Sequence, residues 1–324
     1  MGAQKKTKFS VSAPTIFVIF GITGDLAQRK LIPALFDLYI HGNLPKKFKI
    51  VGFSRKDYDE RGNDGDDQIR AFVKHVIKKK GHKHPASKID SFIRHVHYQQ
   101  GDFTNQADYG ELANHLVRIE NRFGQCTNKL FYLAVPPNFY STIFKNLSYT
   151  GRTLPCSDET GWCRILVEKP FGSDLKTAIK LDKELSLLFK EEQIFRIDHY
   201  LGKEMLQDIL MFRFANSIFE PIWNSQYIER VEITIFEKLD VANSGAFYDG
   251  VGTLRDVGEN HALQMLALIA MERPETFDAL GIRGARAEAL GKLMKMSTSA
   301  VKERTKRAQY AGYTKEKGVE AGSK

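Results

Sequence analysis

Cysteine is scarce in this chain of 324 residues, with only Cys126, Cys156 and Cys163 present. The number is odd and no C-x-x-C pair occurs, which argues against a disulfide framework or a cysteine-built zinc site and fits reduced thiols. Long apolar runs are missing too: none approaches the ~20 residues that span a bilayer. The basic start, residues 1–8, leads into no signal-peptide core. The apolar stretch 11–20 is interrupted by Pro14 and closed by Gly21-Ile22-Thr23-Gly24-Asp25 without a cleavage pattern. A cytoplasmic protein with no membrane partner is therefore expected. Acidic residues are in deficit, 39 against 48 lysines and arginines, for a net charge of +9. The excess is spread along the chain, with local density at Lys78-Lys79-Lys80 and over residues 302–307, and no nucleic-acid motif accompanies it. A solvated basic surface is the plain reading, anionic small molecules the next, and no nucleic-acid partner is expected.

What is present is a globular composition, 42% hydrophobic, and length for two domains of roughly 100–200 residues each. Thr15-Ile16-Phe17-Val18-Ile19-Phe20 is β-branched and aromatic throughout, as in a parallel strand buried on both faces. Gly21-Ile22-Thr23-Gly24-Asp25-Leu26 follows, then a helical pattern through Leu31, Ala34, Leu35 and Leu38. Strand, glycine turn and helix together place a pyrophosphate on a helix N-terminus. The stricter G-x-G-x-x-G is lacking, so on residues alone an ordinary tight turn stays open. The second strand, 48–53, ends in Ser54-Arg55-Lys56 with no acidic residue for a ribose hydroxyl. A guanidinium there suits the 2′-phosphate of NADP.

The alternation continues with helices over 69–80 and 87–95, a short strand over 96–99 and a helix over 109–123. A strand over 129–135 contains Tyr132 and stops at Pro136-Pro137, and Asn138 is placed to cap a helix over 139–147. A polar loop over 152–162 holds Ser157 and Asp158. A strand over 163–167 runs into Glu168-Lys169-Pro170-Phe171-Gly172, which presents Lys169 at the carboxyl edge of the sheet, where open α/β folds bind ligands. A helix over 175–189 follows.

Arg196-Ile197-Asp198-His199-Tyr200-Leu201-Gly202-Lys203-Glu204 packs an acid, an imidazole, a phenol and an ammonium between two apolar segments. After it come a helix over 203–214, a period-two alternation over 228–236 that reads as a half-buried antiparallel strand ending beside Glu237, and a glycine-bearing loop over 245–252. Residues 253–261, Thr-Leu-Arg-Asp-Val-Gly-Glu-Asn-His, lead into an apolar helix over 262–270. Asp256 and His261 lie five positions apart, which is read as roughly one helix face.

G-I-T-G-D-L, Leu133-Ala134-Val135-Pro136-Pro137, E-K-P-F-G, RIDHYLGKE and R-D-V-x-x-N-H resemble, in this order, the signatures of the glucose-6-phosphate dehydrogenase family. The resemblance runs from about Thr15 to about Gly318. It implies an α/β Rossmann-type domain over 1–195 followed over 196–324 by an incomplete α+β domain with a mainly antiparallel sheet. It implies NADP as cofactor, held by Gly21, Thr23, Gly24, Asp25, Leu26, Arg55, Tyr132 and Lys169, and a cis bond before Pro170. It implies glucose 6-phosphate as substrate, contacted by Lys169, His199, Tyr200, Lys203, Glu237 and Asp256. It makes His261 the catalytic base and Asp198 the carboxylate that orients it, and no metal enters. The family forms homodimers and its members continue well past a segment like residues 309–318. The chain is accordingly expected to be C-terminally short, without most of that sheet and much of the dimer interface. An inactive dinucleotide-binding module and a relative acting on another sugar phosphate stay open as alternatives.

Overall fold

A computed structural model describes residues 13–58, 65–81, 84–156, 161–172, 174–238, 240–241 and 245–323. Residues 1–8, Ser157 and Asp158 lie outside the described residues. Contacts divide the chain into two units, Met1–Ile197 and Asp198–Lys324.

The first unit holds one sheet of six strands: β1 (Thr15–Phe20), β2 (Phe48–Ser54), β3 (Val96–Gln100), β4 (Asn128–Leu133), β5 (Cys163–Val167) and β6 (Ile194–Arg196). Their order is β3-β2-β1-β4-β5-β6 and every pairing is parallel. Helices α1 (Ile32–Ile40), α2 (Gly65–Lys79), α3 (Ala86–Ile93), α4 (Gln106–Phe123), α5 (Tyr140–Tyr149) and α6 (Leu175–Leu188) supply the connections. Strand side chains alternate between two separate cores. Ile16, Val18 and Phe20 pack with Leu112 and Leu116 of α4, Phe144 of α5 and Leu185 of α6. Ile19 and Ile50 pack with Phe36 of α1, Val73 of α2 and Phe92 of α3. A strand between two helical layers has no wet face, which is why β1 reads as unbroken hydrophobic sequence. Full burial of a residue such as Phe20 contributes about 1.5–3 kcal/mol. Register places Phe20 beside Phe53 and Leu133, so β1, β2 and β4 end level. The strand order reverses between β1 and β4, the crevice where such sheets bind ligands.

The expected Asn138 cap is corrected. Pro137–Phe139 form a 3₁₀ turn that takes Asn138 into its interior, and α5 starts after Phe139 with no side-chain cap.

The second unit contains α7 (Glu204–Phe214), α8 (Gly245–Thr253), α9 (Leu263–Ala270), α10 (Ala279–Gly291) and α11 (Thr298–Arg304). Its core joins Tyr200, Leu206, Phe214, Met265, Leu268 and Met271. Arg213 of α7 is 5% exposed, and its guanidinium donates to the carbonyls of Leu268 and Met271, both at 2.9 Å. These carbonyls belong to the end of α9 and the residue after it, where a cation also complements the helix dipole. Phe214 and Trp223 lie against the guanidinium, with their ring centroids 4.5 and 5.2 Å from Cζ.

Two expectations fail in this unit. The mainly antiparallel sheet is not found among the described residues, where the one sheet is the parallel sheet of the first unit. Residues 228–236 show the alternation only toward their end, with Ile233 and Ile235 half-buried against the helical core and Glu232, Thr234 and Phe236 exposed, while Val231 is exposed against the pattern. Alternation provides no partner for the backbone, and no ladder forms here among the described residues. The expected glycine loop over 245–252 is instead α8, with its glycine requirement concentrated at Gly252, where φ of +75° marks a kink.

Candidate functional site

In the first unit the turn after β1 is built against the neighbouring strands. Gly21 N donates to the carbonyl of Phe53 at 2.8 Å, and Ala134 N to that of Phe20 at 3.0 Å. Gly21 has φ +79°, and a Cβ there would lie 2.5 Å from the Ala134 carbonyl oxygen. The position thus requires glycine on two counts, backbone conformation and space. Gly24 N closes the turn onto the Gly21 carbonyl at 2.8 Å. Asp25 and Leu26 enter the helix, and Ala27–Leu31 form a π-helical turn that runs into α1. The Thr23 hydroxyl reaches Ser54 Oγ at 3.3 Å, linking this turn to the end of β2. A helix N-terminus behind a turn with no room for a side chain fits the phosphates of a dinucleotide.

Arg55 follows β2 directly and is exposed, its Cζ 6.0 Å from the Phe103 ring centroid. The backbone beneath it is held by Tyr98, whose hydroxyl donates to the Ser54 carbonyl at 2.9 Å. Burial pushes the Tyr98 phenol up to about 12 despite the Ser54 hydroxyl beside it. Tyr98 was not singled out in the sequence, since nothing in residues 96–99 marks a phenol that supports the neighbouring strand.

At the carboxyl ends of β4 and β5, the Tyr132 hydroxyl donates to the Glu168 carboxylate, and Tyr140 donates to the Glu168 carbonyl at 3.1 Å. Burial, reinforced by Glu168, raises the pKa of Tyr132 and keeps its proton in place. Lys169 is half-buried and its bond to Pro170 is cis. Glu168 and the two phenols therefore fix the backbone from which Lys169 projects. Register explains the Tyr132 contact: Leu133 pairs with Val167, which brings Tyr132 near Glu168.

In the second unit, Asp198 Oδ1 and His261 Nδ1 lie 2.6 Å apart across 63 residues of sequence. The Tyr200 backbone N–H donates to the same carboxylate oxygen at 3.0 Å. A carboxylate oxygen only accepts, so Nδ1 of His261 carries a proton in this pairing and Nε2 holds the basic lone pair. His261 is 1% exposed, and the Tyr200 ring stacks on it with centroids 4.0 Å apart and planes 17° apart. Lys203 Nζ lies 3.4 Å from the Tyr200 ring centroid, and the Tyr200 hydroxyl points at Glu237 Oε1 at a long 3.5 Å. His199 is exposed, with its ring centroid 4.6 Å from that of His261. The structure thus brings Asp198, His199, Tyr200, Lys203, Glu237 and His261 together.

Asp256 lies on the same element as His261, half-buried in a π-helical segment, Leu254–Ala262. The expectation that an α-helix puts both on one face is corrected. Positions five apart differ by about 140° around an α-helix, whereas the i→i+5 bonding of a π-helix brings them close to alignment.

Arg286 on α10 was missed as well. Burial lowers the pKa of its guanidinium while the Asp198 carboxylate opposes that, and its buried Nε has no hydrogen-bond partner among the described residues. Asp198 Oδ2 is likewise buried without such a partner. No motif in residues 279–291 could have signalled this.

Sequence models of two domains match the chain: "Glucose-6-phosphate dehydrogenase, NAD binding domain" over residues 18–208 and "Glucose-6-phosphate dehydrogenase, C-terminal domain" over residues 210–324. The glucose-6-phosphate 1-dehydrogenase of Bacillus subtilis (strain 168) is 41% identical over 295 residues, which cover 91% of this chain and 58% of that protein. That of Streptococcus pneumoniae serotype 4 is 40% identical over 300 residues, covering 93% and 58%. The crystal structure of the Mycobacterium avium enzyme matches with a TM-score of 0.82 at 33% identity, over 95% of this chain and 63% of its own. A glucose-6-phosphate dehydrogenase in complex with its substrate glucose-6-phosphate matches at 0.81 and 32%, with the same coverage. The chain spans about three fifths of the length of these relatives. No helix among the described residues is long and apolar enough to cross a membrane.

Proposed function

The chain belongs to the glucose-6-phosphate dehydrogenase family, and on that premise we propose that it binds NADP and oxidises glucose 6-phosphate at C1 to 6-phosphogluconolactone. The observation that carries the reading is the Asp198–His261 pair, a buried imidazole oriented by a carboxylate at Nδ1. Oxidising C1 removes a hydride from carbon and a proton from O1. NADP, when bound, supplies the acceptor for the hydride. His261 Nε2 takes the proton, and Asp198 fixes the tautomer and stabilises the imidazolium as it forms. Tyr200 covers one face of the ring and limits its rotation.

The remaining roles follow from charge and position. His199, Tyr200, Lys203 and Lys169 supply donors to the sugar phosphate, while Glu237 and Asp256 accept from sugar hydroxyls. The turn through Gly21, Thr23, Gly24, Asp25 and Leu26 holds the pyrophosphate and Arg55 the 2′-phosphate. Tyr132 acts on this side through Glu168, which it binds, by steadying Lys169. The homodimer implied by the resemblance and the cytoplasmic location expected from the sequence belong to the same proposal.

The test is NADPH formation from glucose 6-phosphate by this 324-residue chain and its His261→Asn variant, with NADP binding measured alongside. Turnover that falls on the order of 100- to 10,000-fold in the variant, with binding retained, supports the assignment. Turnover unchanged in the variant refutes His261 as base. A chain that binds no NADP refutes the dinucleotide reading.

A further inference from the structure

The Asp198–His261 pair has a third neighbour whose chemistry differs from that of a proton relay. Among the described residues, Asp198, His199 and His261 form a group whose potential ligand atoms all lie within 4.8 Å of one another. We propose that these three side chains form a binding site for a divalent transition-metal ion of the zinc class, a reading that does not depend on the proposed reaction.

Donor chemistry selects the ion. Two imidazoles and one carboxylate suit zinc and its borderline neighbours, whereas magnesium and calcium favour all-oxygen sets. Three protein ligands with an open fourth position is the arrangement of catalytic zinc sites, where water or a substrate oxygen completes the tetrahedron. Metal–ligand distances of 2.0–2.2 Å place tetrahedral ligand atoms about 3.4 Å apart. Asp198 Oδ1 and His261 Nδ1, now 2.6 Å apart, therefore have to open by roughly an ångström while exposed His199 turns in to close the site. Asp198 Oδ2 supplies an independent indication: a buried acceptor without a donor is unfavourable, and a cation satisfies it. Two charges oppose binding. Arg286 is coupled electrostatically to Asp198, and Lys203 sits over Tyr200, which stacks on His261. Coordination uses a lone pair on each imidazole, so the proton on His261 Nδ1 has to move to Nε2 or leave when the ion takes its place beside Asp198.

The experiment titrates the full chain with zinc against a chromophoric chelator and, separately, with cobalt(II), whose absorption bands report coordination number. His199→Ala is the main variant, because His199 is exposed and its truncation leaves the core intact. A Cys126→Ser, Cys156→Ser double variant controls for the two exposed thiols. The expected result is one ion per chain, four-coordinate cobalt bands, and affinity at least ~10-fold weaker in His199→Ala but unchanged in the cysteine variant. Absence of stoichiometric binding overturns the proposal, as does equal affinity in His199→Ala or loss of binding with the thiols. Dehydrogenase turnover is not the readout, so failure of the proposed reaction and failure of this site are separable.

Discussion

Substituting Gly21 by Ala tests the dinucleotide turn at the point where sequence and geometry constrain it most. Two costs add. An alanine at φ +79° occupies left-handed space, at about 1–2 kcal/mol. Its Cβ would also lie 2.5 Å from the Ala134 carbonyl oxygen and 3.0 Å from Val135 Cγ1. That oxygen cannot withdraw cheaply, since Ala134 N is bonded to the Phe20 carbonyl where β1 and β4 end. Overpacking of this kind costs typically 1–3 kcal/mol. Reduced freedom of the unfolded chain returns about 0.4–1 kcal/mol. A net loss of roughly 2–4 kcal/mol lowers the melting temperature by roughly 5–15 °C for a unit of this size. Gly42→Ala is the internal control: φ is +69° there, but an added Cβ meets nothing within 4 Å. It carries the conformational cost without the clash. The assay is thermal unfolding of both variants, with NADP binding by calorimetry. Equal melting temperatures for the two variants, or undiminished NADP affinity in Gly21→Ala, would refute the close-approach argument.

Other consequences are as direct. Replacing Arg55 by Ala weakens NADP by roughly 10- to 100-fold, the worth of charged hydrogen bonds to one phosphate, and leaves NAD nearly unaffected; equal losses would remove the 2′-phosphate assignment. Burial, helped by His97, Arg118 and Arg122, pushes His115 down to about 4, although Asp66 opposes this. The folded state thus binds fewer protons than the unfolded state, so this contribution is complete above the unfolded value near 6.5 and is lost as pH falls from there to about 4. It amounts to about 1–2 kcal/mol after discounting for partial exposure, so urea midpoints at pH 7 and 4.5 should lie closer together in His115→Gln than in the parent. Gly110 lies exposed within α4 with open space around an added Cβ, so Gly110→Ala stabilises by about 0.5–1 kcal/mol; a drop in melting temperature would contradict this.

The first unit was legible because its signals are local. Buried strands read as continuous β-branched and aromatic runs, and a glycine turn marks the step from β1 to a helix. The dyad was legible in a different sense. Residue types pointed to Asp198 and His261, but a separation of 63 positions hides their contact from any local reading, and the family resemblance supplied the pairing. The π-helical segment carrying His261 has no sequence mark, so an α-helical face was assumed. Glu168 read as half of a charged pair with Lys169, because its bond to Tyr132 arises only when β4 and β5 come into register. Arg286 acquires its significance from the fold alone. The alternation over 228–236 separated inward from outward side chains at Ile233 and Ile235 but not at exposed Val231, and alternation describes one strand's faces and says nothing about what its backbone meets.

The Arg213 clasp has a consequence in time rather than in space. It ties the last turn of α9 to α7, and these two helices lead directly out of the segments that hold His261 and Asp198. Opening α9 strands a buried guanidinium without its carbonyl partners, so α7 and α9 cannot fray independently at low cost. They form one cooperative unit, whose amides exchange with solvent at a common rate set by a single opening event. The imidazole and its carboxylate therefore come apart rarely and together with the unit. The lifetime of the pair is the lifetime of the helix pair beneath it.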